Sequence, residues 1–542
     1  MPLVLLGLAL TALAGAHLKA QQLGSITGTV TDSSGAVLVD ADVKIHSAAT
    51  GLERATQTNG SGAYDFFDLP PGTYVVTFSK AAFQTTVHSD VLVQANRTTT
   101  VDDALRPGAV AVTVEVNATP LMNKVDTTNG YTLSSSAIQA MPLGTGSFTQ
   151  LATLSPGVNA DLLNGSGTNT GLGNQEIWAN GQRSTSNSIS FNSINADNLF
   201  NGATSSSVSS NRFVLSTGEQ FGANGDVITA TSVFDAIGEG IPTPPPETIE
   251  EIHVSTSMFD ASEGSKSGAH IEVTTKSGTN AFHGQAYEYL QNDVLNASPF
   301  FYNAANLPKP ALRRNTFGAT FGGPIKRDKA FFFGSYQGVR VSDQENGTQD
   351  VTVPEALTDD RSAGTLAQTF GISNPTTISQ SSLAILNAKA PGGGFLVPTP
   401  NVSPALAPTL GYDAVNTGPP SRFTVDQFNG NVDYNFSPND RLAGKYFYQR
   451  NPTVTPFAPD AELLGFGQTL SAGSQAISLD NTRILRPNVT WELKGGFIRE
   501  GRLRRHHAAP NGPGCSNQLV WPHALPGNPD PQLGPHRQLQ RA

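Results

Sequence analysis

From Phe428 to Tyr448 apolar and polar positions alternate with a period of two. Phe428, Gly430, Val432, Tyr434 and Phe436 alternate with Asn429, Asn431, Asp433 and Asn435. After the turn Ser437-Pro438-Asn439-Asp440, Leu442, Gly444, Tyr446 and Tyr448 alternate with Arg441, Ala443, Lys445 and Phe447. Successive side chains of a strand point to opposite faces, so this stretch predicts a hairpin with one apolar, aromatic face and one bearing amides and charges. Two settings suit such a ribbon. One is a barrel in lipid, greasy outside and wet inside; the other is one face of a soluble sandwich.

Two more hairpins follow the same rule. Thr316–Phe321 and Ala330–Tyr336 flank a turn at Gly322–Lys329, and Ile477–Arg483 and Thr490–Ile498 flank Leu485-Arg486-Pro487-Asn488. In the last strand Trp491, Leu493, Gly495 and Phe497 alternate with Glu492, Lys494 and Gly496. Long polar stretches, among them Asp343–Pro420, separate the hairpins. Short turns on one rim and long loops on the other are the asymmetry of a transmembrane barrel, which this pattern favours over the region 280–500.

Upstream the text changes. Residues 24–106 read as short strands (Gly28–Thr31, Asp42–Ile45, Ala55–Thr58, Tyr64–Phe67, Thr73–Phe78, Val91–Val93) broken by Asp32-Ser33-Ser34-Gly35, Asn59-Gly60-Ser61-Gly62 and Leu69-Pro70-Pro71-Gly72. That spacing predicts a sandwich. A linker, 107–125, holds the extended run Val110–Val116, which suits either one more sandwich strand or a strand offered to the edge of a partner's sheet. Residues 126–278 are mixed. Short helices are expected at Ser134–Ala140 and Ser147–Leu154, loops around a few strands in the Asn/Ser/Gly-rich Asn164–Ser210, a stiff connector at Ile241–Pro246, and strands at Ile249–Ser255 and His270–Thr275. The fold class expected is mainly β: an immunoglobulin- or transthyretin-like sandwich, then an α+β domain, then the N-terminal, incomplete part of a transmembrane antiparallel barrel.

Composition narrows the function classes. Charged residues are 14% of the 542, against roughly 25% in soluble globular chains. The net charge of −10, with no basic stripe, argues against nucleic acid as a partner. Leu3–Ala14 is apolar but too short to span a bilayer, and small residues follow it; residues 1–20 read as an export signal. No later run has the ~20 apolar residues of a transmembrane helix, so any crossing must be made by strands. Cys515 is the single cysteine, which rules out an intrachain disulfide framework. No Gly-x-Ser-x-Gly elbow, P-loop or His-Glu-x-x-His is present, so no enzyme, catalytic residue or cofactor is expected.

The order of these parts resembles the Oar-like TonB-dependent receptors. GTVTDSSGAVLVDADVKI and TQTNGSGAYDFFDLPPGTYVVTFSKAAF resemble the carboxypeptidase-regulatory-like, transthyretin-like domain. No peptidase follows from that name. The zinc enzymes of that family use His-x-x-Glu, and none of the 10 histidines has a Glu three residues on. MPLGTGSFTQLATLSPGV (Met141–Val158) and WANGQRS (Trp178–Ser184) resemble plug motifs. Pro246–Gly284 resembles the end of a plug and its entry into the barrel, and Asn315–Arg340 resembles early barrel strands. The sequence departs from the family at Gly144-Thr145-Gly146-Ser147, where Asn-Gly-Arg-Asn is usual, and at Asn192-Ser193 in place of Asp-Gly, a change expected to relax that turn.

The resemblance implies a plug at 126–278 inside a barrel, with no metal or cofactor. It implies a periplasmic sandwich, an outer-membrane location, and uptake of an extracellular ligand, a glycan or peptide being candidates. It also implies a TonB box in the linker, with Val112, Thr113, Val114, Glu115 and Val116 as contacts to the TonB complex. Family barrels have on the order of 22 strands, whereas residues 280–500 hold about eight to ten at ~10 residues each. From Gly501 to Ala542 the text is rich in Arg, Pro and His and holds Cys515; it reads as a disordered or frameshifted tail of a truncated product, and its Cys/His spacing matches no metal site. The rival expectation is a secreted carbohydrate-binding or adhesive sandwich protein.

Overall fold

A computed structural model describes residues 23–95, 97–108, 113–117, 129–141, 143, 147–160, 177–197, 213–214, 220–221, 242–257, 266–298, 309, 311–343, 351–354, 356–389, 393–400, 414–415, 421–455, 468–486 and 489–506. The signal-like residues 1–20 and residues 507–542, with Cys515, lie outside them.

The N-terminal strands are β1 (Gly24–Asp32), β2 (Asp42–Ser47), β3 (Leu52–Gln57), β4 (Ala63–Leu69), β5 (Gly72–Ser79), β6 (Thr85–Val93), β7 (Thr98–Thr100), β8 (Asp103–Leu105) and β9 (Thr113–Asn117). They form two sheets: β4-β1-β7, with β8 also beside β1, and β3-β2-β5-β6-β9. Alternate residues such as Ile26, Val43, Ile45, Tyr64, Phe66, Val76 and Phe78 fill the space between them, each sheet burying one face. The turns follow from side-chain chemistry. Asp32 Oδ1 accepts bonds from the amides of Ser34 (2.8 Å) and Ala36 (3.0 Å), and Asn59 Oδ1 accepts from Ser61 (2.9 Å) and Ala63 (3.0 Å). Gly35 and Gly62 then take left-handed φ values of 86° and 75°, open to glycine without strain.

The mixed domain contains β10 (Asn129–Ser134), α1 (Ser135–Ala140), α2 (Thr149–Ala152), β11 (Val158–Ala160), β12 (Ile177–Ala179), β13 (Ser188–Phe191), β14 (Ile194–Asn195), the small pair β15 (Phe213–Val214) and β16 (Gln220–Phe221), β17 (Ile249–Ser257) and β18 (His270–Thr275). Its sheet runs β10-β17-β18-β13-β14, with β13 parallel to β18. Register puts Ile252, Val254, Ile271, Val273, Ile189 and Phe191 on one face, packed with Ile138, Phe148 and Leu151. The opposite face carries Glu251, His253, Ser255, His270, Glu272 and Ser190, and these too are buried.

A second sheet starts with β19 (His283–Asn292), β20 (Leu312–Lys326) and β21 (Ala330–Asp343), paired antiparallel in sequence. Residues 349–418, expected to be a plain polar loop, instead build a separate compact unit. It contains β22 (Val351–Thr352), α3 (Ala363–Thr369), α4 (Gln380–Asn387) and β23 (Ala414–Val415). Val353, Leu357, Leu366 and Val397 form its small core. Buried Arg361 staples it, donating to the carbonyls of Thr358 (2.7 Å), Leu386 (2.9 Å) and Val397 (2.9 Å). Periodicity could not show this unit, because a core of four side chains on short helices leaves no repeat long enough to read.

The sheet resumes with β24 (Ser421–Ser437), β25 (Asp440–Thr455), β26 (Gln468–Arg486) and β27 (Val489–His506), in the order β19-β20-β21-β24-β25-β26-β27. Among the described residues that is seven strands, below the eight to ten expected. The reason is length: β24 has 17 residues and β26 has 19, about 55–65 Å at ~3.3 Å per residue. That far exceeds an apolar band of roughly 25 Å, so each strand continues into water and uses more sequence. β27 also runs six residues past 500. The alternation is as read: Phe428, Val432, Tyr434 and Phe436 are exposed while Asn429, Asn431 and Asp433 are buried, and Trp491, Leu493 and Phe497 are exposed. Phe447 differs from its neighbours on the inward face. It is buried and meets Phe191 edge-on at 5.2 Å, so the core of the mixed domain reaches the wall.

Candidate functional site

The inward amides and charges of β24 and β25 meet the mixed domain in a seam of specific bonds. Asn431 Nδ2 donates to Thr275 Oγ1 (3.0 Å) and to the Lys276 carbonyl (2.5 Å). Lys445 Nζ donates to Asn192 Oδ1 and the Thr275 carbonyl, both at 3.3 Å. Lys494 Nζ reaches Ser193 Oγ (3.1 Å). Asp433 on the same wall is paired with Arg441 (2.6 Å). The turn Asn192-Ser193 is therefore held, not relaxed. Both residues are left-handed, at φ 50° and 64°, and Asn192 Oδ1 also accepts from the Thr275 amide and hydroxyl, each at 3.0 Å. Asn is among the residues that enter this backbone region readily, and here its side chain is pinned by Thr275 and Lys445.

A second contact grips the proline-rich connector. In Pro242-Thr243-Pro244-Pro245-Pro246 only Thr243 owns a backbone N–H. That N–H donates to Gln449 Oε1 (3.1 Å), and the Thr243 carbonyl accepts from Gln427 Nε2 (2.6 Å). Gln427 Nε2 also donates to Gln449 Oε1 (3.0 Å), Gln337 Nε2 to Gln427 Oε1 (3.1 Å), and Tyr287 OH to Gln337 Oε1 (3.1 Å). A ladder of side chains from β19 to β25 thus holds a polyproline strand by Thr243, the one residue of the run with both a backbone N–H and a carbonyl. Downstream, Tyr289 OH donates to Glu247 Oε1 (2.8 Å), and Thr248 Oγ1 donates to Ser335 Oγ (3.0 Å).

The sandwich is bonded to both layers. The Ala95 amide donates to Glu251 Oε1 (2.7 Å), with both residues buried. Burial pushes the Glu251 carboxyl up to about 7; the Ala95 bond opposes this, neighbouring Glu250 adds to it, and Arg97 opposes it. Burial likewise raises Glu250 and lowers His270 and Lys276. The Asn280 amide donates to the Ala49 carbonyl (2.7 Å), while the Asn280 side chain exchanges bonds with Asp328 in the β20–β21 turn (2.7 and 2.8 Å). Among the described residues no group of three or more His, Cys, Asp or Glu is placed to hold a metal.

Of the linker residues picked from sequence, Val112 lies outside the described residues. Thr113, Val114, Glu115 and Val116 lie on β9, parallel to β6 with Thr113 opposite Thr85 and Asn117 opposite Ser89, at the edge of the five-stranded sheet. Sequence reasoning missed Gln427, Gln449, Thr243, Lys445, Asn192 and Glu251. The signal was present for the first three: inward amides on neighbouring strands and a proline run with a single donor. Asn192 stands out only as a departure from the usual Asp-Gly turn, and nothing local marks Glu251.

Residues 274–538 match the outer membrane beta barrel domain family and residues 25–106 the carboxypeptidase regulatory-like domain family. The first match continues well past residue 500, where barrel-like text was expected to stop. Over 359 residues the chain is 25% identical to the TonB-dependent transporter Oar of Myxococcus xanthus, covering 61% of this chain and 29% of that protein. The chain thus spans less than a third of the curated relative it matches. Similar solved structures include the outer membrane transporter YddB from Escherichia coli (TM-score 0.44, 12% identity, 70% of this chain and 40% of that one). Another is a mutant of the ferric enterobactin receptor PfeA from Pseudomonas aeruginosa (TM-score 0.34, 12% identity, 70% and 46%). With its outer membrane β-barrel domain, this chain is located in the outer membrane.

Proposed function

For a homologue of the TonB-dependent transporter Oar, we propose energy-coupled uptake of a ligand through a plugged outer-membrane barrel, without catalysis by the chain itself. The observation that carries this is the two-faced sheet. Its outward aromatics suit hydrocarbon, and inward Asn431, Lys445 and Lys494 bond to the mixed domain, which occupies the place of a plug. The short turns Pro438-Asn439 and Arg327-Asp328-Lys329 share one rim with the sandwich, and short turns face the periplasm in such barrels; the sandwich is therefore periplasmic. Ligand enters from the long-loop side. The TonB complex takes the β9 region as an added strand, since backbone hydrogen bonds carry force without needing a particular sequence.

Val114→Pro tests this, because it removes a ladder donor and disfavours the extended pairing. Capture of the full chain by an immobilised periplasmic domain of TonB should weaken at least tenfold in that variant. Undiminished capture would remove β9 as the TonB contact.

A further inference from the structure

We propose that the N-terminal sandwich is a seated lid on the short-turn rim, covering the exit from the seam between plug and wall, and that it must lift before cargo can leave. The proposal rests on the transport reading for its purpose, but its geometry stands apart from it.

The lid touches three separate elements. At the barrel entry, the Asn280 amide holds the Ala49 carbonyl at 2.7 Å. At the β20–β21 turn, Gly51 lies against Asp328 so closely that a Cβ there would stand 2.0 Å from Oδ1, and Gly51 has φ 67°. Only glycine meets both demands without displacement. On the plug, Glu251 holds the Ala95 amide. Ala49 and Gly51 lie at the β2–β3 turn and Ala95 follows β6, so the contacts fix the lid at two separated points and prevent it from swivelling about one.

Beneath these contacts is a cavity of about 210 Å³. Arg54, Asp68 and Tyr74 of the sandwich form one wall; Glu250 and Thr275 of the plug and Ala443 and Lys445 of the barrel form others. Lys445 and Thr275 belong to the seam already described, so the cavity is where that seam opens toward the short-turn rim. The sandwich is the part of its lining that can leave without unfolding plug or wall. β9 is the edge strand of the sandwich's five-stranded sheet and precedes the plug in the chain, so a partner pulling on β9 applies its load to the lid before the plug.

The test is access to the cavity. In the full chain carrying Cys515→Ser and Ala443→Cys, purified in detergent, the rate of labelling by a water-soluble maleimide is measured. Labelling should be slow in that background and at least tenfold faster when Gly51→Val or, separately, Glu251→Ala is added. These two changes act on different elements, so misfolding of one variant leaves the other decisive. In the Glu251→Ala variant, whose change lies on the plug, amide exchange within β1–β6 should stay unchanged, showing that the lid moved as a body. Fast labelling in the parent, or equal rates in the parent and both variants, would overturn the lid. Slow parent labelling released by the variants, together with no capture by TonB, would keep the lid and remove the transport reading.

Discussion

At the scale of single residues, the chain uses few side chains to join large layers. Thr243 is the clearest case: four neighbouring prolines leave one N–H, and Gln449 takes it. Thr243→Pro keeps the extended backbone but deletes that donor and leaves the buried Gln449 carbonyl with one donor fewer. A loss of roughly 1–3 kcal/mol is expected, read as a lower midpoint in denaturant titration of the full chain. Glu251 gives a pH dependence with a definite sign. Its folded value of about 7 lies above the ordinary 4.5, so its contribution to stability is complete below about pH 4.5 and lost as pH rises through 7. Buried His270, lowered by desolvation, works in the opposite direction by resisting protonation as pH falls below 6.5. Subtracting a Glu251→Gln variant from the parent isolates the carboxyl. The parent's advantage should shrink between about pH 4.5 and 7 and level off above that, and a flat difference would contradict the assignment.

At the scale of elements, the strands divide their two faces by chemistry. On β24 the outward Val432 and the inward Asn429 and Asn431 should respond differently to substitution. Val432→Arg places a charge on the lipid face, and near the bilayer midplane that costs about 2–4 kcal/mol. The inward pair separates further. Asn431 bonds Thr275 and Lys276, so Asn431→Ala should cost about 1–3 kcal/mol. Asn429 is buried with no protein partner on its amide among the described residues, so Asn429→Ala should be close to neutral or slightly stabilising. Unfolding in lipid vesicles followed by tryptophan fluorescence would rank the three variants. An Asn429 variant as damaged as the Asn431 variant would show that the seam is not built from the named bonds.

At the scale of the whole molecule, sandwich, plug and wall form one compact unit, and residues 349–418 are the basis of another. The exposed aromatics on β24, β25 and β27 require a lipid setting, because so large an apolar surface is unfavourable in water. In cells the chain should therefore stay with outer membranes after detergent-free extraction. Recovery in the soluble fraction would instead support the secreted sandwich protein. How much of this arrangement was legible beforehand differs by element. The turn of the β24–β25 hairpin, α1, β17 and β18 could be placed within a residue or two because each has a strong local period or turn, whereas both hairpin strands run seven residues beyond the Phe428–Tyr448 alternation. The seven-strand count was missed because periodicity marks the middle of a strand and fades where both faces meet water. The insertion's fold was missed because its apolar residues are too sparse to set a rhythm.

Two-residue alternation, Asx turns and a proline run are local facts. They dictated by themselves that the chain makes a sandwich followed by ribbons with one greasy and one polar side. Which polar groups meet was settled by tertiary structure alone. Lys445 lies 253 residues from Asn192 and Glu251 lies 156 from Ala95. Such bonds exist only after the sheets have docked, since hydrogen bonding of this kind is satisfied by position in space and leaves no period along the chain.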